Sequence, residues 1–130
     1  MDNSKKQILI VEDSEDLREL ILRMLVSENY DIFVSKNGEE ALEIVKHNSL
    51  DLILLDVMMP GKSGMEVLEE IRSSKNSKIK NLPIVMVTAR SSIEDVDAAL
   101  SAGATSYIVK PFRAAALKAK IQGIFDNPEN

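Results

Sequence analysis

Five times along this chain a short, nearly unbroken apolar run is followed by a stretch with helical spacing, and this alternation restricts the fold more than any other feature. The runs are residues 8–11, 32–34, 52–55, 84–87 and 107–109. Apolar on successive residues, they read as strands buried on both faces of a parallel sheet. Between them, Leu17, Leu20, Ile21, Met24 and Leu25 form one helical stripe. A second helix is expected over 39–47. A third begins near Ser63, which has capping-box spacing to Glu66. A fourth begins near Ser91 or Ser92 and stops at Gly103, and a fifth follows Pro111 with Leu117, Ile121 and Ile124 on one face. The polar stretch 73–81, with Lys75, Lys78 and Lys80, reads as a solvated loop.

Parallel strands need crossover connections, and those are right-handed. The expectation is therefore a (βα)5 α/β domain: a doubly wound, five-stranded parallel sheet of flavodoxin-like type. Its strand order, 2-1-3-4-5, is taken by analogy with such folds. At 130 residues the chain suits one domain, 1–130, with an ordered core over about 6–124 and a polar tail over 126–130.

Composition removes several function classes. The net charge of −5 gives no basic footprint for a nucleic-acid backbone. No apolar run spans a membrane, and the N-terminus has no signal core. The chain has no Cys, which excludes disulfides and thiolate metal sites and fits a cytoplasmic location.

In open α/β sheets ligands bind at the carboxyl ends of the strands. Glu12 and Asp13 follow the first run, Asp56 ends the third, Thr88 the fourth and Lys110 the fifth. Three carboxylates brought together repel unless a proton or cation joins them. Oxygen donors suit a hard cation: magnesium, or calcium, although no EF-hand loop is present. Zinc is disfavoured because His47 is the sole His, and it reads as a solvated residue near a helix C-terminus. A carboxylate beside a metal can attack phosphorus to form an acyl phosphate, with the metal and Lys110 neutralising the transferring oxygens. Asp56, on the central strand, is the candidate nucleophile, and Glu12 and Asp13 are candidate metal ligands. Each residue also has a plainer use: Asp13 as a helix N-cap, Asp56 as a turn residue, Thr88 and Tyr107 as strand and core residues, Lys110 as a surface charge.

The stretches Ile10-Val11-Glu12-Asp13, Leu54-Leu55-Asp56-Val57-Met58-Met59-Pro60-Gly61, Val87-Thr88-Ala89 and Tyr107-Ile108-Val109-Lys110-Pro111-Phe112, in this order, resemble the receiver domain of bacterial two-component response regulators. The resemblance runs from about Lys6 to Ile124. It implies a phosphoacceptor switch, not a turnover enzyme. Asp56 is phosphorylated by a histidine kinase or histidine phosphotransfer protein. Mg2+, with Mn2+ as a substitute, is held by Glu12, Asp13, Asp56 and the Met58 backbone carbonyl. Lys110 contacts the phosphoryl group, its bond to Pro111 being usually cis. Thr88 and Tyr107 are the switch pair, and Met58 and Arg90 occupy positions that tune dephosphorylation. The face of the fourth helix, fifth strand and fifth helix carries the response to a downstream effector protein or domain, without direct nucleic-acid or membrane binding.

The chain also departs from the common pattern. Glu12 stands where many members have Asp. The last helix, Arg113-Ala114-Ala115-Ala116-Leu117, lacks the acidic residue that often precedes the Leu, which weakens the case for one acidic–basic dimer interface. The alternatives are a receiver cut from a longer DNA-binding regulator or hybrid kinase, an aspartyl-nucleophile phosphatase, a flavin module and a degenerate binding scaffold. The phosphatase normally carries a second Asp two residues after the nucleophile, where Met58 stands. A flavin phosphate would meet repulsion from Glu12, Asp13, Glu15 and Asp16.

Overall fold

Strand residues of alternating direction sort the apolar runs into two layers, and this determines how the helices pack. The computed structural model describes residues 5–126. Its strands are β1 (Lys6–Val11), β2 (Tyr30–Ser35), β3 (Leu52–Asp56), β4 (Ile84–Thr88) and β5 (Ser106–Val109). They pair in parallel, in the order β2-β1-β3-β4-β5.

The helices are α1 (Glu15–Leu25), α2 (Gly38–His47), α3 (Gly64–Arg72), α4 (Ser77–Lys80), α5 (Ile93–Ser101) and α6 (Ala114–Asp126). Ile8, Ile10, Leu52, Leu54, Val85 and Val87 pack with Ile21 and Leu25 of α1 and Leu117 and Ile121 of α6. The intervening Leu9, Val11, Ile53, Leu55, Ile84 and Met86 pack on the other face, against α2, α3 and α5 through Val45, Val67, Ile71 and Ala99. Burying both faces explains why β1, β3 and β4 read as continuous apolar runs.

Ser63 caps α3 in a full capping box with Glu66, as its spacing indicates. Ser92 caps α5, and Gly103, at φ +110°, takes the left-handed conformation that closes it.

Four local expectations are corrected. The stretch 73–81 is not all loop, because Asn76 caps the single turn of α4 by accepting from Lys78 and Ile79 N–H groups, and Ile79 packs on the core. The N-cap of α1 is Ser14, not Asp13. β2 extends beyond its apolar run because all six of its residues pair with β1, while its edge position leaves Asp31 and Val34 exposed. Asp126 is the last residue of α6 rather than the start of a tail, and the rest of the expected tail lies outside the described residues. Among the described residues no helix is long and apolar enough to cross a membrane.

Candidate phosphoacceptor site

Parallel pairing brings the carboxyl ends of β1, β3, β4 and β5 to one edge of the sheet, and the polar residues of the site gather there. Glu12 follows β1, its N–H donating to the Ser35 carbonyl at 3.1 Å. Asp56 and Thr88 are the last residues of their strands. Lys110 follows β5, and its N–H donates to the Thr88 carbonyl at 2.7 Å. The Lys110–Pro111 peptide bond is cis.

Glu12 and Asp56 are only 2% and 3% exposed, and Thr88 is fully buried. Asp13 is exposed. Carboxylate oxygens of Glu12, Asp13 and Asp56 all lie within 4.8 Å of one another. The Lys110 ammonium donates to Glu12 Oε1 at 3.2 Å and to Asp56 Oδ1 at 3.4 Å. Asp56 Oδ1 also accepts from the Met58 N–H at 3.2 Å. Both bonds fall on Oδ1, so Oδ2 accepts none among the described residues. That oxygen is available to a cation or an incoming electrophile.

The Lys110 ammonium meets two of the three clustered carboxylates, and the burial of the site registers on Glu12. Burial, assisted by the neighbouring Asp56 charge, pushes its carboxyl from about 4.5 to about 7, against the opposing pull of the Ser14 N–H and Lys110. A buried acid raised this far has two ways to ionise at neutral pH: release a proton at a cost, or meet a cation. The donors are all oxygens, as a hard divalent cation requires. His47 takes no part. It is exposed at the end of α2, 3.4 Å from Glu43.

Next to this cluster lies a second set of contacts. Thr88 Oγ accepts from the Arg90 N–H at 3.2 Å, and the Tyr107 hydroxyl donates to the Arg90 carbonyl at 2.7 Å. The Arg90 side chain donates from Nε to Met58 Sδ at 3.2 Å and lies 3.6 Å from Asp95. Burial, with help from Asp95, raises the Tyr107 hydroxyl above its usual range, which keeps it protonated as a donor. A cleft of about 250 Å³ beside Tyr107 is lined by Val57, Met65, Ala98 and Ala99. A larger groove, about 540 Å³, opens at the other end of the sheet among Lys6, His47, Asp51 and Phe125, away from the acidic cluster.

A response regulator receiver domain model matches residues 8–122. This chain belongs to the receiver domain family. The receiver is 43% identical over 115 residues to the uncharacterized transcriptional regulatory protein YrkP of Bacillus subtilis, an alignment that spans 88% of this chain and 47% of that one. It is 41% identical over 118 residues to the response regulator ArlR of Staphylococcus saprophyticus, spanning 91% and 51%. The receiver thus spans about half the length of these curated relatives. Among solved structures, the chemotaxis protein CheY4 of Vibrio cholerae superposes with a TM-score of 0.86 at 30% identity, covering 93% of this chain and 99% of that one. Receivers act as phosphoacceptor signalling switches, and that is the role of this domain.

All the residues singled out at the strand ends converge here. Three others went unnoticed as site residues. Ser14 N–H holds Glu12 Oε2 at 3.1 Å. Gly64 lets α3 approach so closely that a Cβ there would run into the Asp56 carbonyl. Arg18 reaches back from α1 to the carbonyl oxygens of the acidic loop. Its position early in a helix, where cations are disfavoured, was the one available signal.

Proposed function

We propose that Asp56 is the phosphoacceptor of this receiver, taking its phosphoryl group from a histidine kinase or histidine phosphotransfer protein in the cytoplasm. A carboxylate oxygen of Asp56 attacks phosphorus, the bond from phosphorus to the donor imidazole breaks, and the imidazole leaves with the electron pair. Glu12, Asp13, Asp56 and the Met58 carbonyl hold a magnesium ion, for which manganese can substitute. When bound, the ion neutralises charge on the transferring oxygens. Lys110 supplies the second positive charge and orients the phosphoryl group through its ammonium. The observation that carries this reading is the Asp56 carboxylate itself: buried, anchored through Oδ1 among the described residues, and flanked by two further acids and the Lys110 amine.

The new phosphoryl group adds about −1.5 to −2 charges at the sheet edge. The Thr88 hydroxyl turns toward its oxygens and gives up the Arg90 N–H. Tyr107, coupled through the backbone of Arg90, moves into the neighbouring cleft. The face built from α5, β5 and α6 then shifts toward its active arrangement, a change of population driven by the contacts the phosphoryl group makes in that state. Exposed Ile93, Leu100 and Val109 give that face apolar surface for an effector protein or domain. Relatives named as transcriptional regulators support an effector that controls transcription, attached to or separate from this domain. The receiver occupies about residues 6–124 as a single unit.

The test is intact-mass measurement after incubation with acetyl phosphate and magnesium. One added phosphoryl group is expected in the wild type and none in Asp56→Asn. No gain in the wild type, or an equal gain in the variant, defeats the assignment.

A further inference from the structure

We infer that Arg18 is a positioning residue for the cation-binding loop, acting through the backbone of Glu12 and Asp13; this rests on the function proposed above. Arg18 is the fourth residue of α1 and follows the N-cap Ser14 and the acids Glu15 and Asp16. A cation there opposes the positive end of the helix dipole, so the site carries a local cost. Glu15, Asp16 and Glu19 lie within three residues of it in sequence, yet Arg18 forms no ion pair among the described residues. Instead its guanidinium NH1 donates to the Glu12 carbonyl at 2.8 Å and, more weakly, to the Asp13 carbonyl at 3.4 Å.

Two successive peptide planes are thereby fixed from one half-buried side chain. Fixing those planes fixes the directions in which the Glu12 and Asp13 side chains leave the backbone. The Ser14 N–H then holds Glu12 from the other side of the same loop. Between β1 and α1, the loop is tied down at the carbonyls that precede Asp13 and the N-cap Ser14. Groups that hold metal ligands in place without touching the metal usually contribute strongly to affinity.

Charge and positioning make opposite demands, which gives the inference a sign. A guanidinium bonded to the backbone of Glu12 and Asp13 repels a divalent cation held by their side chains, so on charge alone its removal tightens magnesium binding. If Arg18 positions the loop, its removal weakens binding. The experiment is a magnesium titration followed by amide NMR shifts, on the wild type, Arg18→Gln and Arg18→Lys, with urea unfolding of each variant as a check on folding. The magnesium Kd of Arg18→Gln is expected to rise about tenfold or more. Arg18→Lys, which keeps the charge and can reach one carbonyl, should fall between the two. With acetyl phosphate, the magnesium concentration for half-maximal phosphorylation should rise in Arg18→Gln, while the rate at saturating magnesium stays near that of the wild type. An unchanged or tighter Kd in Arg18→Gln overturns the inference. So does a Kd for Arg18→Lys equal to that of the wild type, which would show that holding both carbonyls is not needed. Should Arg18→Gln not fold, the comparison with Arg18→Lys decides. A wild type that binds no magnesium removes the function proposed above, and this inference with it.

Discussion

The Tyr107 hydroxyl is tied to the carbonyl of Arg90, whose own N–H is tied to Thr88 Oγ, so the backbone of one residue links Thr88 and Tyr107. Neither can leave its position without disturbing a hydrogen bond of the other's partner. Arg90 is therefore the residue through which a change at Thr88 would be felt at Tyr107.

Thr88→Val keeps the shape of a buried strand residue but deletes the hydroxyl. The acyl phosphate should still form, because Asp56 and Lys110 are untouched. The surface response should not follow. Amide shifts of α5 and β5 on phosphorylation are expected to shrink by about twofold or more relative to the wild type. Full-sized shifts in Thr88→Val would show that the signal travels by another route.

The raised Glu12 carboxyl sets a pH dependence for the cation-free protein. Its folded pKa, about 7, lies above the ordinary value of 4.5. The folded state therefore binds this proton more tightly, and the associated stability is fully present below about 4.5 and lost as pH rises through about 7. Urea unfolding with a chelator present should show a loss on the order of 2 kcal/mol between about pH 5 and about pH 8. Glu12→Gln should abolish most of that slope, and saturating magnesium should flatten it in the wild type. An equal slope in Glu12→Gln would place the titrating group elsewhere.

Gly64 forms the first turn of α3 directly against the Asp56 backbone. Gly64→Ala forces a methyl group into the Asp56 carbonyl and must push strand end and helix apart. Overpacking of this kind costs about 1–3 kcal/mol. Urea unfolding should register that loss, together with slower phosphorylation. A variant as stable and as fast as the wild type would contradict the close approach.

These residues also show where sequence reasoning succeeds and where it stops. The buried strands were legible because burial on both faces leaves no polar interruption, and the sheet then carries Glu12, Asp56, Thr88 and Lys110 to one edge by topology alone. The capping box of Ser63 and Glu66 was legible because it is local. α4 was not, since one turn is too short to show a 3.6-residue period and depends on Asn76 and the packing of Ile79. Ser14 and Asp13 are adjacent and both suit an N-cap, so only the structure separates them. The contributions of Gly64 and Arg18 come from tertiary approach and from a side chain folding back on a loop, neither of which leaves a periodic trace.

The central claim is that phosphorus attaches to Asp56 and to no other acid of the cluster. Reduction of the phosphorylated protein with borohydride converts an acyl phosphate to an alcohol, which marks the acceptor for peptide sequencing by mass spectrometry. Homoserine at position 56 alone, formed only when phosphodonor and magnesium are both supplied, is the result expected. Reduction at Glu12 or Asp13, or at no residue, would contradict the account.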